Sequence, residues 1–316
     1  MMATGHYPVM LEEAVQALAL SAGEIVVDAT FGGGGHTRRI LEEFGPEGRV
    51  IGIDSDPDAA ERASVLMKED RRFTFRPGAY DQVLTDLVEE SEGIDAVLFD
   101  LGLSSYQVDE AGRGFSYVRE GPLDMRMNPS RGKSAADFLN AAGEVEISEV
   151  LVRYGNVSRG EARRVAKEVL RRRPLRTTLE LSETVRAAVG WKERGGNPAK
   201  RIFQAVRMYI NDELGGLERA LSATERLLSP GGQLVAITFH SGEDRLVKRF
   251  ISERVGRCVC PPELPVCACG ARPIFRKGVV RAPSAHEIEE NPRSASARLR
   301  SAMRTSEPLG LAEGSF

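Results

Sequence analysis

No stretch of this 316-residue sequence approaches the ~20 consecutive apolar residues that a membrane-spanning helix needs. Residues 1–8 have neither a basic start nor an apolar signal core, so a cytoplasmic protein without a membrane partner is expected. Neither sign of charge is in large excess: 43 Lys and Arg stand against 46 Asp and Glu, a net −3, so any nucleic-acid role must rest on local patches. Cysteine is scarce, with four residues confined to one short segment. What is present, 41% hydrophobic and 28% charged residues, suffices for a sizeable core, and the length suits two domains better than one.

Two phosphate-binding fingerprints are also missing. The dinucleotide pattern asks for Gly at i and i+2 and Gly or Ala at i+5, and starts at Gly32 and Gly33 put Thr37 and Arg38 in the last place. A Walker-type loop needs Gly five residues before Gly-Lys-Ser, and Gly132-Lys133-Ser134 has Met127 there. Four consecutive glycines, 32–35, nevertheless lie between a strand-like run from Ile25 to Thr30 and a helix-like run that starts at His36. Glycines at such a junction let the backbone approach a ligand and leave the first N–H groups of the helix free to meet it. A second buried run from Arg49 ends in Asp54, about twenty residues on, where the related dinucleotide fold sets a carboxylate on a ribose hydroxyl. A ribose ligand without a pyrophosphate, made cationic to suit Asp28 before the glycines, is matched by S-adenosylmethionine. The bland alternative, a merely flexible connection, stands beside it.

The rest of the first hundred residues alternates: helix 57–69, strand 72–76, helix 80–90, strand 94–100. Each strand followed by a helix implies a parallel sheet with right-handed crossovers. Ligands of such sheets bind outside the C-terminal strand ends, so Asp100 is expected to face the crevice shared by Gly34 and Asp54. The next clear strand, 233–239, follows more than a hundred residues later, and the intervening length must fold as an insert. Segments 134–142, 147–154, 160–172 and 178–190 have helical apolar spacing, as in Val165, Val169 and Leu170, or Leu181, Val185 and Val189. Thr178 and Ser182 are candidate helix starts, and Pro174 separates two of the helices. Around the third segment Arg153, Arg159, Arg163, Arg164, Lys167, Arg171, Arg172, Arg173 and Arg176 outweigh Glu161 and Glu168, a footprint for phosphate or else a solvated helix face.

The four cysteines form two pairs, Cys258 with Cys260 and Cys267 with Cys269, around Pro261, Pro262 and Pro265. In a cytoplasmic chain this spacing points to thiolates on a structural zinc ion rather than to disulfides, with reduced, metal-free thiols as the open alternative.

Several motifs in order make the chain recognisable: His6-Tyr7-Pro8-Val9-Met10-Leu11, the Asp28-to-His36 loop, Asp100-Leu101-Gly102 through Gln107, and Arg113-Gly114-Phe115 with Pro122-Leu123-Asp124-Met125-Arg126-Met127. Phe203-Gln204-Ala205-Val206-Arg207, Asn211-Asp212-Glu213-Leu214, Phe239-His240-Ser241, Glu243-Asp244-Arg245 and Ser296-Ala297-Arg298-Leu299-Arg300 continue the series. The chain resembles the bacterial 16S rRNA (cytosine N4)-methyltransferases, S-adenosylmethionine-dependent enzymes acting on a cytidine of the small-subunit decoding centre. It departs at Gly242 where Leu is usual, at Asn197 where His is frequent, and over residues 156–160, which replace a more acidic stretch.

The resemblance implies an α/β fold: a Rossmann-like methyltransferase sheet of parallel type with helices on both faces and an inserted, mainly helical domain. The expected divisions are 1–110, 111–211 and 212–316, the last with the cysteine-rich loop 258–270. By position the family's cofactor contacts fall on Gly34, Gly35, His36, Asp54, Tyr80, Asp100 and Gln107. Expected partners are 16S rRNA or the small ribosomal subunit; the oligomeric state is left open, a homodimer included.

Chemistry adds roles to these positions. An exocyclic cytosine amine is a poor nucleophile because its lone pair is delocalised, so a carboxylate aimed at its hydrogens is needed, and Asp100 is the first candidate beside a purely cofactor-orienting role. Ser104, Ser105 and Tyr106 are candidates for the base site, and Arg113, Arg163 and Arg164 for the RNA backbone. His240 reads as structural. Two other functions stay open: an RNA-binding assembly factor that keeps the fold with little catalysis, and an amine methyltransferase acting on DNA or protein. The latter would carry an Asn-Pro-Pro-Tyr-like or Asp-Pro-Pro-Tyr-like motif where Asp100-Leu101-Gly102-Leu103 stands.

Overall fold

The computed structural model describes residues 7–91, 93–190, 197–256 and 272–309. They divide into two compact units, one formed by residues 1–102 with 215–316 and the other by 103–214.

The first unit is built from β-branched runs and amphipathic helices in alternation. Its elements are α1 (Leu11–Leu18), β1 (Ile25–Asp28), α2 (Gly35–Glu43), β2 (Arg49–Asp54), α3 (Pro57–Glu69), β3 (Phe73–Pro77), α4 (Tyr80–Glu90) and β4 (Ile94–Asp100). The chain returns to this unit within α11 (Glu213–Leu227), which runs directly into β5 (Leu228–Thr238), then α12 (Ser241–Arg254), β6 (Phe275–Arg281), α13 (Ala285–Glu290) and β7 (Arg298–Arg304). The seven strands lie in the order β3-β2-β1-β4-β5-β7-β6. Strands β1 to β5 are parallel and β7 runs antiparallel to both of its neighbours.

Period-two alternation sends neighbouring residues to opposite faces. Val27, Val97, Phe99, Leu234 and Ala236 pack with Leu84, Leu87, Leu221 and Phe250. Val26, Ala96, Leu98, Val235 and Ile237 pack on the other face with Ala14, Leu18, Ile40 and Leu66. Helices thus cover both faces, as expected for a parallel sheet. Strand β5 begins five residues before the expected start: Leu228 pairs with Ile94 and Gln233 with Ala96, so the Pro230-Gly231-Gly232 segment is an irregularity inside the strand rather than its boundary.

The second unit contains α5 (Ser105–Asp109), α6 (Ala135–Ala141), α7 (Glu144–Gly155), α8 (Arg159–Arg172), α9 (Thr178–Val189) and α10 (Ala199–Ile210). Ile147, Leu151, Val165, Val169, Leu181, Val185, Ile202 and Val206 make its core, while Leu170, read above as part of the apolar stripe, points outward. Helix α9 is capped by Thr177 in a reciprocal box with Glu180, so Thr178 is its first residue and Ser182 lies buried within it rather than starting a helix. By its contacts the unit begins at 103 rather than 111, and Leu103 packs in part with these helices.

Candidate active site

Five parallel strands deliver their C-terminal ends to one edge of the sheet, and the sequence decides what stands there. Strand β1 stops at Asp28, and Gly32 (φ 53°) and Gly34 (φ 76°) turn the chain into α2 in a conformation that suits glycine. A Cβ on Gly35 would lie 2.2 Å from Pro8 Cγ, and one on Gly34 2.8 Å from the Phe31 ring, so the chain's own walls require glycine at both. Helix α2 starts at Gly35 with no side-chain cap on its first N–H groups.

Asp54 ends β2 and anchors the loop: Gly32 N–H donates to Oδ2 at 2.8 Å and Asp56 N–H to Oδ1 at 2.9 Å. Burial raises its pKa, opposed by those two N–H groups. Tyr80 opens α4, half-buried, with its ring edge-on to Phe99 at 5.9 Å. Asp100 ends β4, its side chain 25% exposed, with Oδ2 3.6 Å from His36 Nδ1. Burial, then the charges of Asp28 and Glu243, push its carboxyl well above the ordinary carboxylate range. Burial holds His36 down at about 4, offset in part by the Val9 backbone, so its ring is neutral near neutral pH. Gly34, Gly35, His36, Asp54, Tyr80 and Asp100 are therefore assembled at one sheet edge.

Asp28, expected beside a cationic ligand, spends its oxygens on the loop and on α2. It is 1% exposed, with Thr37 Oγ1 donating to Oδ2 at 2.7 Å and Thr30 N–H to Oδ1 at 3.2 Å, so it ties the loop to α2. Burial raises its pKa from 3.8 to about 6. A folded-state pKa above the unfolded one means that its contribution to stability is full in acid and is lost as pH rises through about 4 to 6. Asp28→Asn keeps the shape and an accepting oxygen for Thr30 N–H, with its amide able to donate to a reoriented Thr37 hydroxyl, without the buried charge. It should therefore melt higher than wild type at alkaline pH, by the equivalent of roughly 2–3 kcal/mol at most, and the gap should close in acid. Melting curves that differ by the same amount at every pH would contradict this.

The helical unit holds the other candidates. Ser104 and Gln107 cap α5 reciprocally: Gln107 N–H donates to Ser104 Oγ and Ser104 N–H to Gln107 Oε1, both at 3.2 Å. Ser105 is the first residue of α5, and Tyr106 beside it is exposed. Arg113, expected on the RNA, is instead buried, donating through Nη2 to the Met127 carbonyl at 2.8 Å and the Arg126 carbonyl at 3.3 Å. Its charge holds the Asp124-to-Met127 turn. Arg163 and Arg164 are exposed on α8 on the same face as Arg159 and Lys167, and Arg164 Nε also caps α9 at the Ala188 carbonyl. Arg171 and Arg172 are drawn off by Glu168. The four cysteines lie outside the described residues.

Glu243, part of a motif that carries the resemblance, has no role assigned from the sequence. It is 3% exposed, accepts the N–H groups of Phe239 and His240 at 2.9 and 3.3 Å, and acts on Asp100 electrostatically. The available signal was the His-x-x-Glu spacing of a helix start: His240 Nδ1 accepts two N–H bonds as the N-cap of α12, which makes His240 structural, as expected.

A family model for the MraW methylases matches residues 3–305. The chain belongs to the MraW methylase family. This is the family of bacterial 16S rRNA (cytosine N4)-methyltransferases that the motifs resemble. The ribosomal RNA small subunit methyltransferase H of Rubrobacter xylanophilus is 69% identical over 308 residues, covering 98% of each chain. Proteins of the same name from Thioalkalivibrio sulfidiphilus and Hyphomonas neptunium are 46% and 44% identical, over 96% and 98% of this chain and 98% and 92% of theirs. Strands β1 and β4 are the neighbours at which the strand order reverses, and the glycine loop and Asp100 stand on either side of that point. Among the described residues no helix is long and apolar enough to cross a membrane.

Proposed function

We propose that this chain transfers the methyl group of S-adenosylmethionine to the exocyclic N4 of a cytidine in 16S rRNA, in the cytoplasm, as RNA or within the small subunit. The observation that carries the proposal is full-length family membership coupled with carboxylates at the ends of β2 and β4, flanking a glycine loop. The residues fit the cofactor: His36 Nε2 and Asp100 Oδ1 are buried polar atoms without a hydrogen-bond partner among the described residues, as a polar ligand would require. Asp54 would take the ribose, and Gly34, Gly35 and His36 the methionine end. When bound, S-adenosylmethionine supplies an electrophilic methyl on a sulfonium. Asp100 would accept a hydrogen bond from the cytosine amine, concentrating the lone pair on N4, and would take the proton that N4 sheds when the methyl leaves sulfur as a neutral thioether. Its raised proton affinity suits that work. A target base held in a stem must leave the stack to reach such a site.

The basic face of α8 supplies a foothold for the RNA backbone. Replacing Arg163 and Arg164 by Gln should raise the KM for RNA about tenfold, leave kcat nearly unchanged and flatten the salt dependence of binding by ~1.4 in log–log slope, ~0.7 per lost phosphate contact. An unchanged slope would remove α8 from the interface. The assignment itself is tested by offering labelled S-adenosylmethionine with small subunits, free RNA, DNA and protein. Label in N4-methylcytidine is expected; exclusive labelling of DNA or protein, or no cofactor binding by calorimetry, would defeat it.

A further inference from the structure

We infer that Thr30 is a positioning residue for Asp100, its hydroxyl standing in for the last rung of the sheet between β1 and β4. The ladder shows where it ends. Asp28 pairs with Leu98 and Ala29 N–H donates to the Leu98 carbonyl at 2.9 Å. In a regular parallel pair the next bond would run from Asp100 N–H to the Ala29 carbonyl. Asp100 N–H donates instead to Thr30 Oγ1, at 2.6 Å.

The substitution has a physical reason. At the reversal point β1 must leave the sheet for the glycine loop while β4 continues, so the backbone of residue 29 no longer presents its carbonyl to β4. A side-chain oxygen one residue later spans the gap. Thr30 is itself held, because its N–H donates to Asp28 Oδ1, and Asp28 Oδ2 is held by Thr37 of α2. On the other side Leu101 N–H donates to the Ile237 carbonyl of β5. Asp100 is thus suspended between β5 and a bridge of Thr37, Asp28 and Thr30. Beyond that bridge its Oδ1 meets no hydrogen-bond partner among the described residues and its Oδ2 has His36 Nδ1 no nearer than 3.6 Å, so its aim leans on its backbone.

This rests on the reading of Asp100 as the proton acceptor, and the experiment separates the two. Thr30→Val keeps the branched shape and removes the acceptor; Thr30→Ser keeps the hydroxyl. Steady-state methylation of the RNA substrate is measured for both, for Asp100→Ala and for the Thr30→Val/Asp100→Ala double variant. The expected result is a kcat about tenfold lower for Thr30→Val, in keeping with the loss of one buried hydrogen bond. Thr30→Ser should stay within about twofold of wild type, and Thr30→Val should have almost no effect once Asp100 is gone, since residues acting through one another are not additive. Should the valine variant fail to fold, Thr30→Ala is read in its place. Equal activity of the valine and serine variants, or the same tenfold loss in the Asp100→Ala background, would overturn the inference while leaving Asp100 catalytic. Full activity of Asp100→Ala alone would instead remove the reading beneath it.

Discussion

Asp100→Ala is expected to lower kcat on the order of 10²–10⁴-fold at saturating cofactor and RNA, the range for loss of a positioned general base. The pH dependence separates this role from simple orientation of the cofactor. Asp100 must be ionised to accept a proton, and burial with Asp28 and Glu243 sets its pKa well above the ordinary carboxylate range. Activity should therefore rise with pH through that elevated value and fall in acid. His36, the cation-forming group beside it, is neutral in this range and offers no compensating charge. Glu243→Gln retains an oxygen for the Phe239 and His240 N–H groups but deletes a negative charge, so it should displace the acid limb to lower pH. A kcat profile that is flat between about pH 5 and 9, or an Asp100→Ala variant with full turnover, would exclude proton transfer to Asp100.

Much of this edge was legible before the fold was known, because strand ends are marked by pattern. The apolar run up to Asp100 and the run up to Asp54 announced both carboxylates, and the glycines announced the loop. What escaped depends on contacts between distant residues. Nothing local in Asp28-Ala29-Thr30 tells that Asp28 is spent on Thr37 or that β1 ends two residues early. Arg113 looked like a surface cation because arginine seldom is buried, yet two carbonyls of the following turn claim it. Strands β6 and β7 gave no clear signal. In β6 only Phe275 of seven residues is buried, as an edge strand allows, and β7 interrupts its apolar residues with Arg298, Arg300 and Arg304, the second of them paired with Asp244. The start of the helical unit depends on distant contacts in the same way: Leu103 looks like a loop residue until the helices it packs on are in place.

Asp54→Ala should weaken S-adenosylmethionine binding on the order of 100-fold, a larger loss than one hydrogen bond explains. Two causes add. In the proposed complex the carboxylate would give the ribose a charged acceptor, worth about 1.5–3 kcal/mol per bond, and it also holds Gly32 N–H and Asp56 N–H, so its removal frees the glycine loop itself. Asp54→Asn tells them apart, since an amide oxygen retains one loop contact without the charge, and its affinity should lie between the other two. Because burial raises the Asp54 pKa, cofactor affinity of the wild type should begin to fall on acidification above the usual carboxylate range, and the asparagine variant should lack that fall. Calorimetric titration of the three proteins across pH measures each quantity. If the alanine variant bound the cofactor within about threefold of wild type, Asp54 would be a structural residue of the loop and the ribose would have to be held elsewhere.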